Sequence, residues 1–240
     1  MSISDNLKSV NQRITDAALR AGRDPSHIKL IAVSKTRPAD YVTEAMKYGQ
    51  LDFGENRPQE LAAKAEQIGG SVRWHQIGQL QKNKVRHIIS YAALIHSVDS
   101  LSLAEEIEKR AAAIDKVQDI LIQVNISGEE SKSGASPSET ARLCRDIAKL
   151  PHVHICGLMT ISVKDYDYEQ NKRLFSALAS LASEIEAEKI DNVSMKELSM
   201  GMTHDFEAAV EAGATIVRVG EAIFGERDYS LNNPMQNINQ

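Results

Sequence analysis

Short apolar runs and amphipathic stretches of helical length take turns along this chain. Residues 4–22 carry Leu7, Val10, Ile14, Ala17, Ala18 and Ala21 at helical spacing with Gly22 as a stop, so a helix is predicted ahead of the first strand. Eight strand–helix units follow. Lys29 to Ser34 leads to a helix through Val42 to Tyr48, Leu51 to Gly54 to one through Leu61 to Ile68, and Trp74 to Gly78 to a short one near Asn83 to Ile89. Leu94 to Val98 precedes Leu101 to Ala113, and Ile120 to Val124 precedes Pro137 to Leu150. Ile155 to Met159 precedes Tyr168 to Glu188, Glu197 to Met200 precedes Phe206 to Ala212, and Ile216 to Val219 precedes Glu221 to Phe224.

Strands alternating with helices imply a parallel sheet, and eight units in 240 residues match the size of an α/β (β/α)8 TIM barrel. An open doubly wound sheet competes with it, but no G-x-G-x-x-G follows the first strand, and strands this short and numerous suit closure. No proline- or glycine-rich linker divides the chain. One barrel domain over residues 1–229 is therefore expected, with the helix of residues 1–22 packed outside it and a flexible polar tail at 230–240.

A formal net charge of -5 argues against nucleic-acid or acidic-membrane partners, which need clustered Lys and Arg. Cys144 and Cys156 match neither a disulfide framework nor a paired metal-ligand spacing, and read as reduced core residues of a cytoplasmic protein. The first residues form no signal peptide, and no apolar run approaches membrane-spanning length. The helices show no wide apolar stripe, so a monomer is expected.

Leu30-Ile31-Ala32-Val33-Ser34-Lys35 ends an apolar run in a lysine that shares a strand face with Ile31 and Val33. A dehydrated amine holds its proton less tightly and condenses with aldehydes, which makes Lys35 a candidate Schiff-base residue; the alternative is a solvated lysine at a strand end before Pro38. Active sites of such barrels lie at the C-terminal ends of the strands, with a phosphate grip after strands seven and eight. Ser199-Met200-Gly201-Met202-Thr203 and Gly220 stand there, ahead of short helices whose backbone N–H groups would face an anion; tight turns and helix caps are the plainer role for each alone. Arg218 alternates with Ile216 and Gly220 and should project inside the barrel, either pairing with Glu55 or Asp99 or donating to a ring nitrogen. An amine, an anion site and an internal arginine together suit pyridoxal 5'-phosphate. A Schiff-base aldolase acting on a phosphorylated sugar explains the first two and leaves Arg218 without a role.

Ordered motifs add to this: Ala32-Val33-Ser34-Lys35-Thr36, Phe53-Gly54-Glu55-Asn56, Trp74 to Gln81 with Asn83-Lys84, His96 to Ser100, Gln123-Val124-Asn125, Lys132-Ser133-Gly134, Gly157 to Thr160, Leu198 to Met202 and Ile223-Phe224-Gly225. From about Lys29 to Tyr229 the chain resembles the pyridoxal phosphate homeostasis proteins, whose barrel is similar to the N-terminal domain of alanine racemase. The resemblance implies that Lys35 carries the cofactor as an internal aldimine and that Arg218 faces the pyridine nitrogen. It also implies that the phosphate lies between Ser199, Gly201, Met202, Thr203 and Gly220, and that Asn56 neighbours the ring. Thr203 stands where serine is frequent and Glu221 where a small hydroxyl residue is, so at Glu221 only the backbone N–H is expected to serve the phosphate. The implied function is cofactor buffering and delivery, with apo-enzymes as recipients and amino-acid and keto-acid balance as the consequence, without turnover. A racemase-like enzyme is the alternative; it needs a second acid/base group, for which His75, Tyr91 and His204 are the local candidates.

Overall fold

The computed structural model describes residues 2–129 and 132–225. Its strands β1 (Lys29–Val33), β2 (Asp52–Glu55), β3 (Arg73–Gln76), β4 (Ala92–Val98), β5 (Gln118–Gln123), β6 (Val153–Met159), β7 (Val193–Ser199) and β8 (Ile216–Val219) close into a parallel barrel in sequence order. Closure runs through β1 and β8, where Ile31 lies opposite Arg218. The helices are α1 (Ile3–Arg20), α2 (Ala39–Met46), α3 (Pro58–Ile68), α4 (Val85–Ile88), α5 (Leu101–Ala112), α6 (Pro137–Ile147), α7 (Tyr168–Ala187), α8 (Phe206–Glu211) and α9 (Glu221–Phe224). The expected (β/α)8 barrel is therefore the observed one. The predicted tail at 230–240 lies outside the described residues.

Period-two alternation sorts the apolar side chains into two layers. Ile31, Val33, Leu94, Leu121, Met159 and Ile216 fill the barrel interior. Their neighbours Ala32, Ile95, Ile120, Ile122 and Val217 point outward, joining Phe53 and Trp74 under the helices. Helix starts follow local chemistry: Ser2 and Asp5 form a capping box on α1, Asp167 and Gln170 another on α7, and Pro58 and Pro137 open α3 and α6.

Helix α1 buries Leu7, Val10, Ile14, Ala17 and Ala18 and packs on α8 and α9 outside the strands. Arg13 pairs with Glu207 at 2.7 Å and Arg20 with Glu211 at 2.9 Å. No helix among the described residues is long and apolar enough to cross a membrane.

Candidate cofactor site at the C-terminal mouth

A cavity of about 570 Å3 opens where the strands end. Lys35, Asn56, Met202, Thr203, Arg218 and Gly220 line it, so six sequence-predicted residues from four segments meet around one space. Lys35 lies in the turn after β1 and is partly exposed at the cavity wall. Its neighbours are tightly held. Lys64 of α3, itself buried, donates to the Ser34 carbonyl at 2.8 Å, to Glu55 at 2.7 Å and to Glu60 at 2.8 Å. The Ser34 hydroxyl donates to Glu55 at 2.6 Å, and Glu60 accepts the Thr36 N–H at 2.6 Å. Thr36 sits at φ 65, an unfavourable region for a β-branched residue, so the turn presenting Lys35 is held by this buried ion cluster against its own preference.

Glu55 is thus not a partner of Arg218. Gly54 faces the barrel interior against Ile31 and Ile77, so alternation sends Glu55 outward to Lys64. Burial raises the Glu55 carboxyl to about 7 against the opposing pull of Lys64. Asp99 is likewise elsewhere, in a shallow depression with Gln81 and Leu103.

Arg218 does project inward and is 4% exposed. It donates to the Ser199 hydroxyl at 2.7 Å and to the Thr160 carbonyl at 3.0 Å. Burial lowers the guanidinium to about 10. Both hydrogen-bond contacts are neutral oxygens, and the carboxylate that acts on its charge is Asp205.

The loop after β7 departs from the expected phosphate grip. Ser199 is fully buried behind the cavity wall, its hydroxyl held between Arg218 and His96 Nδ1 at 2.8 Å. Gly201 is buried as well: at φ 91 a Cβ would lie 2.6 Å from the Ala209 Cβ and 2.9 Å from the Phe206 Cα, so packing against α8 requires this glycine. The Met202 N–H already donates to the Asp205 carboxylate at 2.5 Å. Thr203 and Gly220 remain as the polar and backbone contributions on the wall, and the Glu221 side chain stands beside them. A Cβ on Gly220 would come within 3.0 Å of the Val33 carbonyl oxygen.

Of the three residues considered as a second base, only His204 lines the cavity. Tyr91 bonds Glu66 at 3.1 Å, and His75 is buried between Asp52 and His96. Sequence reasoning did not select Arg37, Gln123 or Lys132 as site residues, although all three line the cavity. Lys132 lies in a segment already flagged after strand five; nothing in its spacing distinguished it from a surface lysine. Away from this mouth, near the starts of β5 and β6, Asp119, His154 and Cys156 bring one donor atom each within 4.8 Å of one another, a grouping that only strand pairing creates.

Residues 5–228 match the family model for the alanine racemase N-terminal domain. A pyridoxal phosphate homeostasis protein of Aquifex aeolicus (strain VF5) is 44% identical over 230 residues, covering 95% of this chain and 100% of the relative. A solved protein of Bifidobacterium adolescentis shares the fold at a TM-score of 0.87 and 39% identity, covering 92% of this chain and 94% of that one. PipY of Synechococcus elongatus PCC7942, whose structure was solved with PLP bound, matches at a TM-score of 0.80 and 33% identity over 93% of this chain and 100% of its own. On matches of this length and identity, the chain belongs to the pyridoxal phosphate homeostasis protein family, with the barrel of the alanine racemase N-terminal domain.

Proposed function

We propose that this protein binds pyridoxal 5'-phosphate in the C-terminal mouth of its barrel and acts in cofactor homeostasis as a carrier rather than as a catalyst. The carrying observation is the meeting of Lys35, Arg218, Thr203 and Gly220 on one cavity of about 570 Å3, within the roughly 300–1,000 Å3 typical of small-molecule sites. The residues fit the group. Lys35 supplies a primary amine on a stiffened turn, Arg218 a buried donor hydrogen-bonded only to neutral oxygens, and Thr203 a hydroxyl on the same wall as Gly220, whose missing side chain leaves room beside Val33. Bound there, the cofactor supplies an aldehyde for an amine and a phosphate for the loops. Lys35 anchors the aldehyde end, Asn56 borders the ring, and Arg218 donates to the ring nitrogen. Ser199 serves the site through Arg218 rather than by touching phosphate. The PLP bound to PipY and the names of the relatives support this reading.

Two features favour carriage over turnover. A guanidinium donates a hydrogen bond to the ring nitrogen but does not hand over its proton, which leaves the ring a weaker electron sink. Of the three acid/base candidates, His75 and Tyr91 stand away from the cavity, which leaves the racemase reading only the exposed His204 on its wall. Delivery to apo-enzymes in the cytoplasm, by a monomer, completes the proposal.

The test is borohydride reduction of the protein loaded with pyridoxal phosphate, followed by peptide mapping. We expect one reduced adduct on Lys35, lost in Lys35→Ala with the fold intact. An adduct retained elsewhere at full yield refutes the assignment. A chiral assay with alanine is expected to show no racemisation at enzymic rates, and a positive result that falls in His204→Ala favours the racemase reading.

A further inference from the structure

A chain of buried polar side chains crosses the barrel interior and ends on Arg218. From Arg218 the hydrogen bonds run to the Ser199 hydroxyl at 2.7 Å, then to His96 Nδ1 at 2.8 Å. His96 Nε2 lies 3.1 Å from His75 Nδ1, and His75 Nε2 lies 3.0 Å from Asp52 Oδ1. Arg73 closes the far end with two bonds to Asp52 at 2.7 and 2.6 Å. His75, His96 and Ser199 are each at most 3% exposed, so water does not stand in for any link.

The carboxylate end sets the direction of the chain. A carboxylate only accepts and a neutral imidazole carries one proton, so His75 donates from Nε2 to Asp52 and accepts at Nδ1 from His96 Nε2. His96 Nδ1 is then an acceptor, and Ser199, which accepts from the guanidinium of Arg218, gives its single proton to it. The opposite order would set a lone pair of His75 against the Asp52 carboxylate unless that ring took a second proton. Burial opposes the second proton, as do Lys29 and Arg73, although Asp52 itself favours it. His96 is held well below the ordinary imidazole range, first by burial and then by His75 and Arg218.

We propose that Asp52, His75, His96 and Ser199 form a one-directional hydrogen-bond relay whose role is to position Arg218 as a fixed donor toward a ring nitrogen in the cavity. This rests on the cofactor reading above and deepens it. The relay gives the guanidinium an oriented acceptor without placing a carboxylate against it. Asp52 sits three side chains away and is itself paired with Arg73, and the carboxylate whose charge reaches Arg218 is Asp205, so the relay fixes the guanidinium by a hydrogen bond rather than by a direct ion pair. All four are positioning residues, since none of them lines the cavity.

Two substitutions at one position separate this role from simple packing. In His75→Gln the amide oxygen can accept from His96 and the amide nitrogen can donate to Asp52, which preserves the direction of the chain. His75→Leu cuts it. Equilibrium binding of pyridoxal phosphate is expected to weaken about tenfold in His75→Leu, with an altered spectrum of the bound chromophore, and to stay within about twofold of wild type in His75→Gln. Equal affinities in all three proteins, or equal losses in both variants, overturn the relay.

Long-range nitrogen–proton NMR on the cofactor-free wild type needs no substitution and covers the case in which His75→Leu does not fold. Both imidazoles are expected neutral with the proton on Nε2 near pH 7, and a proton on Nδ1 of either ring overturns the assignment. If the wild type takes up no pyridoxal phosphate, the cofactor reading fails by itself, while the tautomers still decide whether the directed chain exists.

Discussion

At the scale of single residues, the site turns on how closely Gly220 approaches the strand that leads to Lys35. Gly220 lies against the end of β1, and its absent side chain keeps the Val33 carbonyl and the neighbouring turn in place. Gly220→Val drives a branched side chain into that contact at about 1–3 kcal/mol of strain. Retention of pyridoxal phosphate is expected to fall by roughly tenfold or more, as read by equilibrium dialysis, and an unchanged affinity would show that the phosphate rests elsewhere. Residue chemistry pointed to Lys35 and Arg218 before any coordinates, because an amine after a buried run and a cation inside one are unusual; Thr203, an ordinary hydroxyl before a helix, joined them only through its place after strand seven. The same reasoning turns Ser199 toward the phosphate, whereas its hydroxyl bonds Arg218 and His96. Its position after an apolar run is equally compatible with facing phosphate or facing a buried cation, and only its neighbour on β8 decides between them.

Between elements, buried ion pairs set the geometry that the residues need. Lys64 ties α3 to the ends of β1 and β2 through Ser34 and Glu55, and pairs with Glu60 on its own helix. Lys64→Met keeps the bulk but leaves two carboxylates without their cation, which is expected to cost about 3–5 kcal/mol at pH 8 in urea unfolding. Glu55 titrates higher in the folded protein, near 7, than its ordinary 4.5, so the folded state binds more protons between those values and the burden of its charge grows as pH rises through them. The deficit of the variant should therefore shrink at pH 5; a deficit independent of pH would remove Glu55 from the account.

The α1–α8 contact has the opposite sign. Hydrogen bonds from Lys172, Tyr168 and Arg20 hold Glu211 down to about 2 against its partial desolvation. Its contribution is fully present above about 4.5 and is lost as pH falls toward about 2. Glu211→Gln is expected to be less stable than wild type at pH 7, with the gap narrowing below pH 4.5, and a gap that widens in acid would contradict the assignment.

For the whole molecule, the large exposed apolar residues among those described fall in small groups along the chain: Leu19 on α1, Tyr48 and Leu51 before β2, Tyr91 before β4, Ile114 and Val117 before β5, Ile161, Tyr166 and Tyr168 around the start of α7, and Met202 after β7. Groups this small are what the proposed monomer expects. Sedimentation is expected to give the mass of one 26.4 kDa chain, with and without pyridoxal phosphate, and a dimer at micromolar concentration would overturn this.

Local rules were enough for much of this protein. Alternating runs set the order of strands and helices, the period of two set which residues face the barrel interior, and the polar residues at strand ends marked the mouth where the cavity opens. Those properties depend on near neighbours in the chain, so they are written in it directly. Which inward side chain meets which was decided by closure alone. His96 and Ser199 are 103 positions apart, on strands that are not neighbours in the sheet, and they touch because eight twisted strands close around one axis. The relay into Arg218 is a consequence of that ring, since contact across a barrel depends on its curvature and stagger, which no local stretch of sequence encodes.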